Sequence, residues 1–214
     1  MAGLTEHVAV AVDVLNVSLR HPFLLAGQVA VAQAASSGRV EVGLGAGSYH
    51  LARFDHQAIG RPFPPLASRR ERLARCTEIL PALWRGEEVT DPELGLDGAS
   101  LGPLGIEPPT VFVGGAAEDT MTIAVDHSDG WNAVVEDADR YRKLSTQIDE
   151  LCRERGRNRP LQKAAQVFVR DVDLRRARRL VGDLEAAGAE AVTFVLVEER
   201  GPEAVRRLGE AVLG

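Results

Sequence analysis

Hydrophobic positions along the chain switch between a short, strand-like repeat and a longer, helix-like one, six times over. Val8, Val10, Val12 and Val14 share one face of residues 7–15, with Ala9, Ala11 and Asp13 opposite. Apolar residues on both faces predict a strand covered on both sides, as in a parallel sheet. Pro22 suits the first turn of a helix over 23–35, and Gly38 suits its stop. A second strand over 40–44 runs into Gly43-Leu44-Gly45-Ala46-Gly47. In the long connection that follows, Ser68-Arg69-Arg70-Glu71 has the spacing of a capping box, in which Ser68 accepts from the third amide and Glu71 reaches back. Leu73, Cys76, Ile79, Leu80 and Leu83 then recur at helical spacing, Pro81 removes one amide donor, and Gly86 closes the helix. Residues 87–109 are rich in Gly and Pro and weakly periodic, which predicts mostly loop.

Alternation then resumes. Strands are predicted over 110–113, 130–135, 164–169 and 191–197, and helices over 119–127, 138–155 and 174–187. A last helix opens at Pro202, with Val205, Leu208 and Val212 expected inward. Such alternation implies an α/β fold with a parallel sheet and right-handed crossovers. The pattern alone leaves an open doubly wound sheet and a barrel as alternatives. The length of 214 residues suits six units. It is short for a complete (β/α)₈ barrel of about 250 residues.

Composition narrows the function classes. With 45% apolar and 26% charged residues, the chain is neither disordered nor collagen-like. A net charge of −6 and only 5% aromatics argue against a nucleic-acid partner. No apolar run approaches the roughly 20 residues that span a bilayer, so no membrane partner is expected. Residues 1–7 lack the basic and apolar blocks of a signal peptide. Cys76 and Cys152 belong to no Cys/His cluster, so neither a disulfide framework nor a metal site is expected, and a reducing cytoplasm fits.

In either α/β architecture ligands sit at the carboxyl ends of the strands. That selects residues 13–17, 43–47 and 114–116, with Trp131, Asn132, Arg170 and Glu198. Residues 43–47 read GxGxG, not the dinucleotide GxGxxG, and serve either close backbone approach to a flat ligand or a tight turn. Val113-Gly114-Gly115-Ala116-Ala117 joins a strand to a helix, which makes either a phosphate site or a plain glycine turn. His50 and His56 fall in the long connection and read as solvated loop histidines. No GxSxG or HExxH motif is present.

Ser37-Gly38-Arg39-Val40-Glu41-Val42-Gly43-Leu44-Gly45-Ala46-Gly47 resembles the strand-and-loop motif of bacterial-luciferase-like monooxygenases. Gly60-Arg61-Pro62-Phe63-Pro64, Arg72-Leu73 to Leu83-Trp84, Val111-Phe112-Val113-Gly114-Gly115 and Asp129-Gly130-Trp131-Asn132 agree in order. Val14-Leu15-Asn16-Val17-Ser18-Leu19-Arg20-His21-Pro22 resembles the family's third strand and following helix start. The subgroup it resembles most uses the deazaflavin coenzyme F420 in place of FMN.

The resemblance implies a TIM-barrel-like (β/α) fold truncated to about six units, equivalent to units 3–8. Residues 1–214 are then a single domain lacking the first two. It places the family's non-proline cis peptide at Asn16-Val17, the flavin ring beside Gly45, Ala46 and Gly47, and the phosphate at Gly114, Gly115 and Ala116. It implies hydride transfer with F420, or monooxygenation with reduced FMN, on a small organic substrate. Asp13 and His50 are the weak candidates for an acid or base. Ser48 replaces the family's usual aromatic residue, and Phe54-Asp55 reverses an acidic–aromatic pair. These departures keep open a non-catalytic paralogue that binds a cofactor or a partner, and a chain whose true start precedes Met1. A six-strand arc leaves two unpaired edges, so a homodimer covering the open side is expected.

Overall fold

The computed structural model describes residues 5–169, 174–197 and 201–213. In chain order the elements are β1 (Val10–Asn16), α1 (Pro22–Ala35), β2 (Val40–Gly45), α2 (Tyr49–Ala58), α3 (Leu66–Trp84), β3 (Val89–Asp91), β4 (Leu96–Ala99), β5 (Thr110–Gly114), α4 (Glu118–His127), β6 (Gly130–Val134), α5 (Ala138–Glu154), β7 (Gln162–Val169), α6 (Leu174–Ala186), β8 (Ala191–Leu196) and α7 (Pro202–Leu213). Short 3-10 turns occupy Val17–Leu19 and Pro92–Leu94.

Six strands form one sheet in the order β1-β2-β5-β6-β7-β8, every pair parallel. The result is a half-barrel, an α/β arc with helices on its convex side, which matches the six-unit expectation. Val40, Val42 and Leu44 of β2, Val111 and Val113 of β5, and Trp131 and Ala133 of β6 are buried under those helices. Alternate residues of the same strands face the concave side. Glycine dominates there near the strand ends, at Gly43, Gly45 and Gly114. The convex core continues into the helices through Leu25, Leu73, Leu80, Tyr141 and Ile148. Burial of this apolar stripe is the main force holding strand to helix.

The structure corrects several sequence expectations. β1 is not covered on both sides: Val12 is 45% and Val14 40% exposed, because β1 is an edge paired only with β2. The connection after β2 contains a helix, α2, whose start is capped by Ser48 accepting from the Leu51 amide at 3.3 Å. The Ser68 capping box does not form. α3 begins earlier, at Leu66, with Pro65 at the cap, so Ser68 lies inside the first turn. Residues 87–109 hold an antiparallel hairpin, β3–β4, apart from the main sheet. On α7, Ala204 and Leu208 are buried, but Val205 is 59% exposed.

Candidate functional site

The end of β1 departs from regular pairing. Val12 pairs with Val42 and Leu15 with Leu44, so β1 spends one more residue than β2 over the same span. This bulge turns both Asp13 and Val14 toward the concave side. A non-proline cis peptide joins these two residues. The expectation at Asn16-Val17 is therefore corrected by three positions. Val17 lies in the hydrophobic core at 1% exposure, and its carbonyl accepts from Arg72 at 2.9 Å.

Val14 rests on a floor of glycine. A Cβ at Gly43, Gly45 or Gly114 would stand 2.9, 2.6 or 2.7 Å from a Val14 methyl carbon, closer than carbon atoms pack. Those glycines, from β2 and β5, thus leave room for the bulge, and Val14 offers an apolar, partly exposed surface above them. Sequence reasoning left Gly43 and Gly45 as room for a flat ligand or as a tight turn; in the fold a Val14 methyl group stands over both.

Asp13 faces into the arc below. Its carboxylate accepts from the Asn132 amide, and its carbonyl from Gln166 at 3.4 Å. Asp13 and Asn132, with Gly43, Phe112, Ala164 and Thr193, line a cavity of about 60 Å³. Burial pushes the Asp13 carboxyl up from its ordinary value, and the Asn132 bond works in the opposite direction.

The loop after β2 is tied down from several sides. Gly47 has φ +81°, and a Cβ there would meet the Asn16 amide nitrogen at 2.7 Å. Arg69, 3% exposed, donates to the carbonyls of Ala46, Gly47 and Pro64 and lies 4.4 Å over the Phe63 ring. Asn16 Oδ1 accepts from the Ser18 amide at 3.0 Å and the Ser18 hydroxyl at 2.7 Å. Ser18 Oγ lies 2.8 Å from His56 Nε2. His56 is only 2% exposed, which overturns its reading as a solvated loop histidine. Ala52 and His56, one helical turn apart on α2, are both buried, and that spacing was the available signal. Arg69 carries no signal that separates it from its arginine neighbours.

At the β5 end, Gly115 has φ +150°. It donates to the Asn132 carbonyl at 2.9 Å and accepts from the Trp131 indole at 2.7 Å. Ala116 is exposed, and α4 starts just beyond it on Ala117, which makes no side-chain cap. Glu118 and Asp119 occupy its first turn, and Asp119 pairs with Arg70 from α3. The structure thus brings Asp13, Asn16, the 45–47 loop and the 114–116 loop to one end of the sheet. The His50 side chain, Arg170 and Glu198 lie outside the described residues. Among the described residues no group of His, Cys, Asp or Glu is arranged to hold a metal ion, and no helix is long and apolar enough to cross a membrane.

Comparison with known proteins gives one consistent result. The F420-dependent hydroxymycolic acid dehydrogenase of Mycobacterium tuberculosis is 28% identical over 198 residues, covering 89% of this chain and 51% of that protein. The chain therefore spans about half the length of this relative. The fold matches the coenzyme F420-dependent tetrahydromethanopterin reductase of Methanopyrus kandleri with a TM-score of 0.78 at 14% identity, over 99% of this chain and 84% of that one. It also matches the oxygenating constituent of 3,6-diketocamphane monooxygenase from Pseudomonas putida, solved with FMN, with a TM-score of 0.62 at 19% identity, over 86% of this chain and 56% of that one. A sequence model of the luciferase-like monooxygenases matches residues 1–178. The chain belongs to the luciferase-like monooxygenase family.

Proposed function

We propose that the chain forms the cofactor-holding part of an oxidoreductase that uses coenzyme F420, with FMN as the alternative. The observation that carries this reading is the Val14 bulge on its glycine floor. It offers a smooth apolar support for a flat ring at the strand ends, next to a glycine loop and a helix start. The F420-dependent relative along 89% of the chain favours the deazaflavin over FMN.

The residues present fit such a group. Val14 would support the ring from behind, while Gly45, Ala46 and Gly47 border its edge. Asn16 would lie beside the same loop. The exposed stretch at Ala116 and the start of α4, beside Gly114 and Gly115, would receive the phosphate, with Arg70 offsetting the Asp119 charge. The bound cofactor would supply the hydride chemistry, or oxygen activation in the FMN case. The protein's part is to hold and orient. Asn132 and Gln166 fix Asp13 from β6 and β7, and so fix the bulge itself. Asp13 holds its proton to higher pH than an ordinary carboxyl, as suits a group kept in the arc as a proton holder. The substrate is a small organic molecule whose pocket the loops define.

This half-barrel corresponds in our reading to the last six units of an eight-unit plan, with a second copy of the chain covering the concave side. Among the described residues no contact favours a non-catalytic scaffold over a cofactor enzyme.

Calorimetric titration with F420 and with FMN tests the proposal. F420 is expected to bind more tightly than FMN, and Gly45→Val, which drives a side chain into Val14, to weaken binding at least tenfold. Absence of heat with both cofactors would remove the cofactor reading.

A further inference from the structure

The Asn16–Ser18–His56 cluster has an internal logic set by counting protons. The Ser18 backbone N–H can only donate, and it points at Asn16 Oδ1 at 3.0 Å. That fixes Oδ1 as the oxygen of the amide. The Ser18 hydroxyl, 2.7 Å from the same oxygen, must then donate to it. A hydroxyl has one proton, so Ser18 Oγ has none left for His56. The 2.8 Å contact is therefore a donation from His56 Nε2 to Ser18 Oγ. His56 must be the neutral tautomer with its proton on Nε2. Its Nδ1 is buried and has no hydrogen-bond partner among the described residues, so a proton there would be a buried charge without an acceptor.

The chain of donation runs His56 to Ser18 to Asn16, from α2 across to the end of β1. Its last member is left with Nδ2 on the far side of the amide. That nitrogen is buried, makes no hydrogen bond among the described residues, and abuts Gly47. Phe63 closes the other side of His56, ring to ring at 5.5 Å and 72°, and Arg69 covers Phe63. The imidazole is thus held in a dry slot with one polar outlet.

We infer that His56 and Ser18 are positioning residues that lock the Asn16 amide with its NH₂ facing the 45–47 loop. The lock presents a fixed hydrogen-bond donor to any acceptor atom of a ligand that borders this loop. Without it only the Ser18 backbone N–H holds Oδ1, and the amide is freer to turn an acceptor oxygen toward the same ligand atom. Only the binding arm of the test rests on the cofactor reading above.

The test uses the full chain with ¹⁵N-labelled histidine and asparagine. The His56 nitrogens should show the neutral Nε2–H tautomer at pH 7, and Asn16 one sharp NH₂ pair. His56→Leu, which cannot donate, should shift or double that pair, and Ser18→Ala should do the same. His56→Gln, whose side-chain amide can still donate to Ser18, should restore it. In parallel, His56→Leu should raise the F420 dissociation constant about tenfold, with His56→Gln near the parent. A purely structural role would lower stability in both His56 variants without moving the Asn16 resonances. An Nδ1–H tautomer, an imidazolium at pH 7, or an unmoved Asn16 pair in His56→Leu would overturn the inference. If the parent protein binds no F420, the cofactor reading fails while the resonances still decide the lock.

Discussion

Asp13 shows how one residue combines a structural task with a chemical one. Its backbone makes the bulge, and its carboxyl is held inside the arc by Asn132. Because burial raises its pKa in the folded chain, ionisation favours unfolding. Below the unfolded value of 3.8 the group is protonated in both states and costs nothing. As pH rises through the raised folded value, stability is lost, and the deficit stays constant above it. Asp13→Asn keeps an acceptor for Asn132 and removes the charge. It should be more stable than the parent at pH 7, by less than about 1 kcal/mol because the residue as a whole is only partly buried. Urea unfolding at pH 3 and pH 7 checks this, with the difference expected only at the higher pH. The residue scale is also where sequence reading reached least. His56 and Arg69 look like ordinary polar residues in a charged stretch. Their burial comes from neighbours on β1, β2 and the 61–65 segment, and no local pattern encodes those. The cis peptide was expected in the right motif and at the wrong bond, since a resemblance fixes a stretch more firmly than a single position.

At the scale of elements, strong periodicity was legible and weak periodicity was not. The α3 spacing of Leu73, Cys76, Ile79, Leu80 and Leu83 was readable, and all five are buried. α2 was missed because its sequence, YHLARFDHQA, exposes Leu51 and Phe54 and buries a histidine, the reverse of the usual pattern. The β3–β4 hairpin was missed because its two strands are only three and four residues long. It is held at its turn and against α3. Asp91 caps the turn through the Leu94 amide at 3.0 Å and binds Arg75 of α3 at 3.0 Å. Burial alone would raise its pKa, but Arg75 and the Leu94 amide outweigh it and leave the carboxyl below its ordinary value. That contribution is present above the unfolded pKa and is lost as pH falls through the folded one. Asp91→Ala should cost about 1–2 kcal/mol at pH 7, as for other caps of this kind, and less at pH 3. Urea denaturation of parent and variant at the two pH values measures it.

For the whole molecule, the governing fact is that the arc has two edges. Among the described residues β1 and β8 each pair on one side, and Val12, Val14, Val134 and Phe168 expose apolar surface around and within the open face. Unpaired strand edges beside apolar side chains favour association. A dimer mass is therefore expected in sedimentation equilibrium, and Phe168→Glu should shift it toward the monomer. A stable parent monomer at high protein concentration would refute the second-copy reading. Sequence foresaw six units and the open side. It could not foresee which face of β1 stays bare, because periodicity reports a strand's own residues and not its missing neighbour.

The two tryptophans give the protein a built-in optical readout. Trp84 and Trp131 are the only indoles in the chain, and both are shielded from solvent at 1% and 0% exposure. Their combined emission should therefore lie at short wavelength in the folded state. They differ in what their N–H groups hold. Trp84 binds the Ala26 carbonyl of α1, well inside the scaffold, while Trp131 binds the Gly115 carbonyl in the loop after β5. Any ligand that moves Gly115 pulls on one indole and leaves the other as an internal reference. Occupancy of the strand ends is thereby written into the protein's own light, without a label.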